Sequence, residues 1–216
     1  MCFSATASFS AGIILLGASV LAVRCARGPR EVPLAAIPLL FATQQFVEGV
    51  VWLTFSYEAP LLNAAMTHTY SFFSHVLWPV YVPVAVLLIE PPGWRRTTLR
   101  GLVVTGAAVA VYFMYMLVAF PVVSRATGQH IEYISPHFFS IAVMSVYLLS
   151  TAISPMVSTH RWVKVFGVLA LTSFAAAYYF YARWFISVWC LFAAILSLVL
   201  CTHLTSGTRR TKASAA

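Results

Sequence analysis

Two residues of this sequence could do chemistry in an apolar setting, a glutamate and a histidine. Glu48 lies in an apolar stretch, four residues after Gln44, so the two side chains share one face of a helix. His75 lies in the next apolar stretch, seven residues after His68 and three before Trp78. Placing an ionisable side chain inside a bilayer costs roughly 2.5 to 3.5 kcal/mol, so such a residue is first treated as functional. We therefore take Glu48 and His75 as the centre of a predicted site.

Carboxylate, imidazole and thiolate groups are the ligands with which proteins hold zinc, copper or iron. One hypothesis is therefore a transition-metal site that faces the outer side of a membrane. No compact His-x-x-x-His or Cys-x-x-Cys motif supports it, and seven residues separate the two nearest histidines, about 10 Å along a helix axis. The predicted metal ligands are Glu48, His75, Cys2, His68 and His137. The predicted contacts to a bound cofactor or small ligand are Gln44, Gln45 and Tyr115.

Three other functions fit the same residues. A membrane hydrolase or lyase would use Glu48 as general base toward a metal-bound water. The seven-span hydrolases of the ceramidase and progestin-receptor superfamily have a His-x-x-x-His pair in the last span, where this sequence has His203 alone. A transporter or small-molecule receptor would use Glu48 and His75 as a proton-sensitive pair, because desolvation and a charged neighbour act on such groups in opposite directions. The last interpretation is a purely structural pair between two helices.

The proline spacing predicts a kink beside His75. Pro79 lies four residues after His75, and a proline in a helix cannot bond to the carbonyl four residues before it. We expect the carbonyl of His75 to be available to a hydroxyl, a water or an ion. Estimated from the span ends, Glu48 lies about 13 Å and His75 about 10 Å below the outer surface, which predicts a contact between adjacent antiparallel helices. Later side chains expected near the same pocket include Tyr112, Tyr147, Ser187 and Cys190.

The elements that must position these residues are long apolar helices. Of the 216 residues, 61% are hydrophobic and 8% are charged, whereas about a quarter are charged in soluble domains. A membrane span needs about 20 mostly apolar residues. Seven segments reach that length: 5–23, 32–57, 68–89, 101–122, 137–157, 162–181 and 184–204. The predicted fold class is all-α, a polytopic bundle of seven transmembrane helices in one domain at 1–205, with a disordered basic tail at 206–216.

The positive charges predict how the helices are oriented. Eleven of the thirteen Lys and Arg residues fall in the tail or in the loops after spans one, three and five, and only Arg125 and Arg183 fall on the other side. Short loops rich in Lys and Arg stay cytoplasmic, so we expect the N-terminus outside and the C-terminus inside the inner membrane of the cell. The net charge of +8 is explained by this orientation, so the expected partner is a lipid bilayer and not a nucleic acid.

Three segments of the sequence resemble a known group. They are the opening MCFSATASF, the QQFVEG run at 44–49 and the SHVLWP run at 74–79. With these segments the sequence resembles an uncharacterised family of small bacterial integral membrane proteins, and the resemblance covers the whole chain. It implies seven spans without an established activity. It also implies that Cys2, Gln45, Glu48 and His75 belong together, and it assigns no catalytic residue.

Overall fold

Seven helices form most of the structure. The computed structural model describes residues 4–134 and 140–213. Within that part of the chain, six helices are long and apolar enough to cross a membrane, and α5 is a shorter apolar helix. The protein is therefore a multi-pass membrane protein in contact with a lipid bilayer. The helices are α1 (Ala5–Cys25), α2 (Val32–Ser56), α3 (Pro60–Ile89), α4 (Trp94–Ala119), α5 (Ile141–Val157), α6 (Arg161–Phe180) and α7 (Phe185–Ala213).

Three helix ends differ from the predicted ones by seven residues or more. α3 begins at Pro60 and not at residue 68, because proline suits the first turn of a helix, where its missing N–H is not needed. α4 begins at Trp94 and not at residue 101, and α7 continues to Ala213, past the predicted boundary at residue 205. Hydropathy finds only the apolar part of a span, whereas the helix itself continues into polar turns at the membrane surface.

The helix bundle presents apolar side chains to the outside and buries a few polar side chains within a largely apolar core. Val104 and Val118 are 70% and 82% exposed, as expected of side chains that face lipid. Gln44, Gln45 and Glu48 are 0% exposed. Lipid offers no hydrogen-bond partners, so these polar groups must bond to neighbouring helices.

Neighbouring helices along the chain pack against each other, and α7 closes the bundle against α1 and α2. α1 and α2 interlock through two aromatic rings and two glycines. Phe46 lies over Gly12, and Phe9 lies over Gly49, so closely that added Cβ atoms would meet the rings at 2.6 and 2.9 Å. Small residues at such crossings let membrane helices approach closely.

A two-stranded antiparallel hairpin joins α4 to α5, and the all-α prediction omits it. β1 (Val123–Thr127) pairs with β2 (His130–Ile134), and Gly128 turns the chain at φ +59°. Tyr133 of β2 stacks on Tyr70 of α3, with ring centroids 4.3 Å apart. The turn lacks the Asn-Gly or Asp-Gly pair that marks hairpins most clearly in sequences. We call this the hairpin end of the bundle, and the opposite end, with the loops after α1, α3 and α5, the Arg-rich end.

Candidate functional site

The carboxylate of Glu48 lies where α2 crosses α7. Ser187, near the start of α7, donates from Oγ to Oε1 of Glu48 at 2.8 Å. Gln45, one turn earlier on α2, donates from Nε2 to Oε2 at 3.5 Å. The bond to Ser187 joins residues that are 139 positions apart in the chain. Glu48 therefore links two helices that the sequence places far apart.

Gln44 extends this link to α3. Its Oε1 accepts a hydrogen bond from Nε1 of Trp78 at 2.9 Å, and both side chains are buried. Cys190 of α7 and Trp78 line the same small cavity. Side chains of α2, α3 and α7 therefore lie close together around the bond between Gln44 and Trp78.

α3 changes its helical register at the histidine. Phe72–Leu77 form a π-helical segment, in which N–H groups bond to carbonyls five residues earlier. Pro79 has no N–H to donate. In the π-helical register this leaves the carbonyl of Ser74, five residues earlier, without a helical partner. In an α-helical register it would instead leave the carbonyl of His75, four residues earlier, without one. Tyr147 of α5 donates its hydroxyl to the Ser74 carbonyl at 2.5 Å. The expected hydroxyl contact therefore exists, one residue earlier than predicted.

α5 has the same arrangement. Leu149–Ile153 form a second π-helical segment, and Pro155 follows it at the same offset as Pro79 follows the first. The carbonyl that Pro155 cannot bond in this register belongs to Ser150, which accepts the hydroxyl of Ser154. π-helical turns inside α-helices are rare and occur often at functional sites.

Gly106 of α4 lies between α3, just after its π-helical segment, and the π-helical segment of α5. A Cβ on Gly106 would lie 1.8 Å from the carbonyl oxygen of Pro79 and 3.2 Å from the Cβ of Ser150. Pro83 cannot bond to the Pro79 carbonyl within the helix, so that oxygen packs against the Cα of Gly106, a weak donor. This contact fixes the backbones of α3, α4 and α5 to one another behind the site.

His75 is buried in the π-helical segment of α3, which orients its ring. Nδ1 lies 3.0 Å from the carbonyl oxygen of Ser71 and 2.7 Å from Oγ of Ser74. A carbonyl oxygen only accepts hydrogen bonds, so Nδ1 carries a proton, and Nε2 is the acceptor nitrogen of the neutral ring. The ring meets Phe113 of α4 edge to face at 5.3 Å.

Gln44, Gln45 and Glu48 lie together on the buried face of α2. His75 is buried on α3, three residues before Trp78, whose indole donates to Gln44. The predicted contact between Glu48 and His75 stays a prediction.

Other predicted site residues lie elsewhere. His68 is exposed, and its Nδ1 lies 2.8 Å from the Ala64 carbonyl of its own helix. Tyr115 is 63% exposed on the outer face of α4, away from the predicted pocket. Cys2 and His137 lie outside the described residues. Within residues 4–134 and 140–213, no three His, Cys, Asp or Glu side chains form a group that could hold a metal ion.

A small cavity lies next to the bond between Gln44 and Trp78. Its volume is about 30 Å³, and Trp78, Tyr147, Trp189 and Cys190 are among the residues that line it. This space accommodates about one water molecule and no organic ligand. The site is therefore closed in this structure.

The hairpin covers the start of α7, above Ser187. His130 stacks on Trp184 with ring centroids 4.5 Å apart, and Arg183 pairs with Glu132 at 3.1 Å. Partial burial is the main cause that holds the pKa of His130 below its ordinary value. The hairpin thus separates the Glu48 region from the solution at this end.

These features define a polytopic helical membrane protein with a buried polar centre between α2, α3 and α7. The whole chain, residues 1–216, matches the family described as "Family of unknown function (DUF6629)", and the protein belongs to this family. Comparisons with curated proteins and with solved structures gave no match. The resemblance to an uncharacterised family is confirmed.

Proposed function

We propose that this protein is a proton-responsive membrane protein, a transporter or receptor in the inner membrane, in which Glu48 binds the proton. The observation that supports this proposal is the buried Glu48 carboxylate that accepts a hydrogen bond from Ser187 across the α2–α7 crossing. Acidic residues inside membrane bundles mark proton and ion pathways. A site with a single ionisable acid at the junction of helices has the composition that such a role requires.

Proton binding at Glu48 would weaken the contact between α2 and α7. Hydrogen bonds to an ionised carboxylate are about twice as strong as those between neutral groups. Ser187 and Gln45 both donate to the carboxylate, so both bonds lose strength when it is protonated. The expected response to acid is therefore a looser α7.

Packing around Gln44 provides a route from α7 to α3. Cys190 of α7 lines the same small cavity as Trp78. Trp78, which donates to Gln44, directly follows the π-helical segment of α3. A shift of α7 would therefore change the environment of that segment. With the Arg-rich end in the cytoplasm, as its cations favour, the proton would reach Glu48 from outside, past the hairpin.

Hydrogen–deuterium exchange of α7 tests this proposal. The protein in lipid nanodiscs is compared at low and at high pH, after correction for intrinsic exchange rates. We expect amides around Ser187 to exchange faster at low pH. Glu48→Gln, which keeps the shape of the side chain but cannot ionise, should exchange fast at both pH values.

A matched control uses the second buried acid, Glu90, at the Arg-rich end. Glu90→Gln should keep the pH-dependent exchange of α7, because this residue bonds to the α5–α6 loop and not to α7. Exchange around Ser187 that is independent of pH in the wild type would refute the proposal.

The transition-metal site stays a prediction, and the hydrolase interpretation depends on it. The Nδ1–H of His75 points to a carbonyl, as in many metal-bound imidazoles whose Nε2 faces the ion. Elemental analysis of protein purified without chelators tests the site. The metal-site interpretation requires about one equivalent of zinc, copper or iron in the wild type, and loss of that metal in His75→Ala.

A further inference from the structure

A larger cavity lies at the Arg-rich end, between the loop after α1 and the loop after α3. Its volume is about 430 Å³, within the range of small-ligand sites. Leu88 and Ile89, the last apolar residues of α3, form part of its wall. Its ionisable lining residues are Arg27, Arg30, Glu31, Glu90, Arg96 and His160.

Both acids of this cavity already bind hydrogen-bond donors. Glu31 accepts from Nη2 of Arg27 at 2.7 Å and from its backbone N–H at 2.9 Å. Glu90 accepts from the hydroxyl of Ser158 at 2.9 Å and from the backbone N–H of Thr159 at 3.0 Å. The carboxylate of Glu31 is therefore bonded to Arg27, and the carboxylate of Glu90 is bonded to the loop after α5.

Arg30 and Arg96 supply positive charge that no carboxylate neutralises. In the described part of the chain the ion pairs are Arg27–Glu31 and Arg183–Glu132, and neither involves these two residues. Nε of Arg96 is buried and makes no hydrogen bond to the described residues. Both arginines line the cavity, and an anion there would give their guanidinium groups a partner of opposite charge. The guanidinium group matches phosphate in particular, because its N–H groups bind two oxygens at once.

The position of the cavity at the membrane surface favours the phosphate of a lipid over that of a soluble ligand. The apolar wall of Leu88 and Ile89 marks the depth at which α3 leaves the hydrocarbon layer. Trp94, exposed at the start of α4, is a residue type enriched at the membrane interface. Basic pockets at this depth, on the side where anionic lipids are abundant, suit lipid head groups.

We propose that this cavity binds the phosphate of an anionic phospholipid head group, through Arg30 and Arg96. Arg27 and His160 lie at the same cavity and complete its polar lining. Nε2 of His160 donates to the carbonyl of Ile89 at 3.1 Å, which ties the loop after α5 to the lipid-facing wall. This site is independent of Glu48 and lies at the opposite end of the bundle.

Native mass spectrometry of the detergent-purified protein tests the site, with phosphatidylglycerol and phosphatidylcholine as probes. We expect phosphatidylglycerol to bind the wild type more tightly than phosphatidylcholine does. An Arg30→Gln, Arg96→Gln variant should bind phosphatidylglycerol about tenfold more weakly or worse, since each lost bond involves charged groups. The control is Arg24→Gln, Arg100→Gln, which removes the same charge from exposed residues that do not line the cavity, and it should keep wild-type affinity.

Three results would overturn the proposal. They are an equal loss in the control variant, equal binding of the two lipids, and competition by inorganic phosphate at concentrations similar to that of the lipid. The last result would assign the cavity to a soluble anion. If the glutamine variant does not fold, Arg30→Lys, Arg96→Lys replaces it, because lysine keeps the charge but loses the two-pronged geometry. The proposal requires weaker binding in this variant, and wild-type affinity would contradict it.

Discussion

Two buried glutamates of the described chain differ in their surroundings. Glu48 and Glu90 are 0% and 3% exposed, and each accepts a hydrogen bond from a distant serine. Ser187 reaches Glu48 at 2.8 Å, and Ser158 reaches Glu90 at 2.9 Å. Glu90, however, lies at a helix end beside an arginine-lined cavity, whereas Glu48 lies inside an apolar bundle. Burial and a serine partner are therefore common to both, and only the setting distinguishes them.

The settings indicate different roles. Glu90 also accepts a backbone N–H of Thr159, a donor that belongs to the fold of the α5–α6 loop. It fastens the end of α3 to that loop. The second donor to Glu48 is the side-chain amide of Gln45, at a long 3.5 Å. Side-chain donors rearrange more easily than backbone donors, so Glu48 is the acid whose bonds can respond to a proton.

The largest effect is expected at Gly106, where the backbones of α3 and α4 pack closely against each other. Gly106→Ala would place a Cβ 1.8 Å from the backbone oxygen of Pro79, so α3 and α4 must separate. We expect the free energy of unfolding to fall by about 3 kcal/mol or more, measured by denaturation in detergent. Gly101→Ala is the control, because its Cβ would meet nothing within 4 Å, and a change below about 1 kcal/mol is expected. Similar stabilities of the two variants would show that the contact between Gly106 and Pro79 does not stabilise the packing of α3 against α4.

The next effect separates a structural acid from a functional one. Glu90→Ala removes the acceptor of Ser158 and of the Thr159 N–H. The free energy of unfolding should fall by about 2 to 3 kcal/mol, because buried donors lose their partner. The pH dependence of hydrogen exchange in α7 should stay as in the wild type. Loss of that dependence would mean that both acids act in one switch.

A smaller effect is expected at the serine that holds Glu48. Ser187→Ala removes one hydrogen bond between α7 and α2, so stability should fall by about 1.5 kcal/mol. Ser197→Ala is the matched control on the same helix. Ser197 is also buried, but its hydroxyl bonds to the Ala194 carbonyl of α7 itself. Equal losses in the two variants would argue against a special α2–α7 bond.

The sequence predicts the helices and the face of α2 well, and other features poorly. Apolar length and the spacing of Gln44 and Glu48 depend only on local chemistry, so both could be predicted. The π-helical turn that contains His75 could not. The Ser74 carbonyl in this turn accepts the hydroxyl of Tyr147, which is 73 residues away in the chain. Such a partner becomes visible only when the helices are packed together.

The hairpin is unpredicted for a different reason. Its strands are five residues each, and Gly128 alone gives a weak turn signal. Tyr133 on Tyr70, and Ser124 at 2.7 Å from Thr67, hold the hairpin against α3. These contacts are tertiary, so the strands have little local signature.

Infrared difference spectroscopy between low and high pH would show whether Glu48 exchanges a proton. A carboxylic acid C=O band is resolved from carboxylate bands and shifts in D₂O, so one side chain can be followed by substitution. We expect such a band to change with pH in the wild type and in Glu90→Gln, and to be absent in Glu48→Gln. A wild-type protein without this band, or a band that persists in Glu48→Gln, would contradict the assignment of Glu48 as the proton-binding residue.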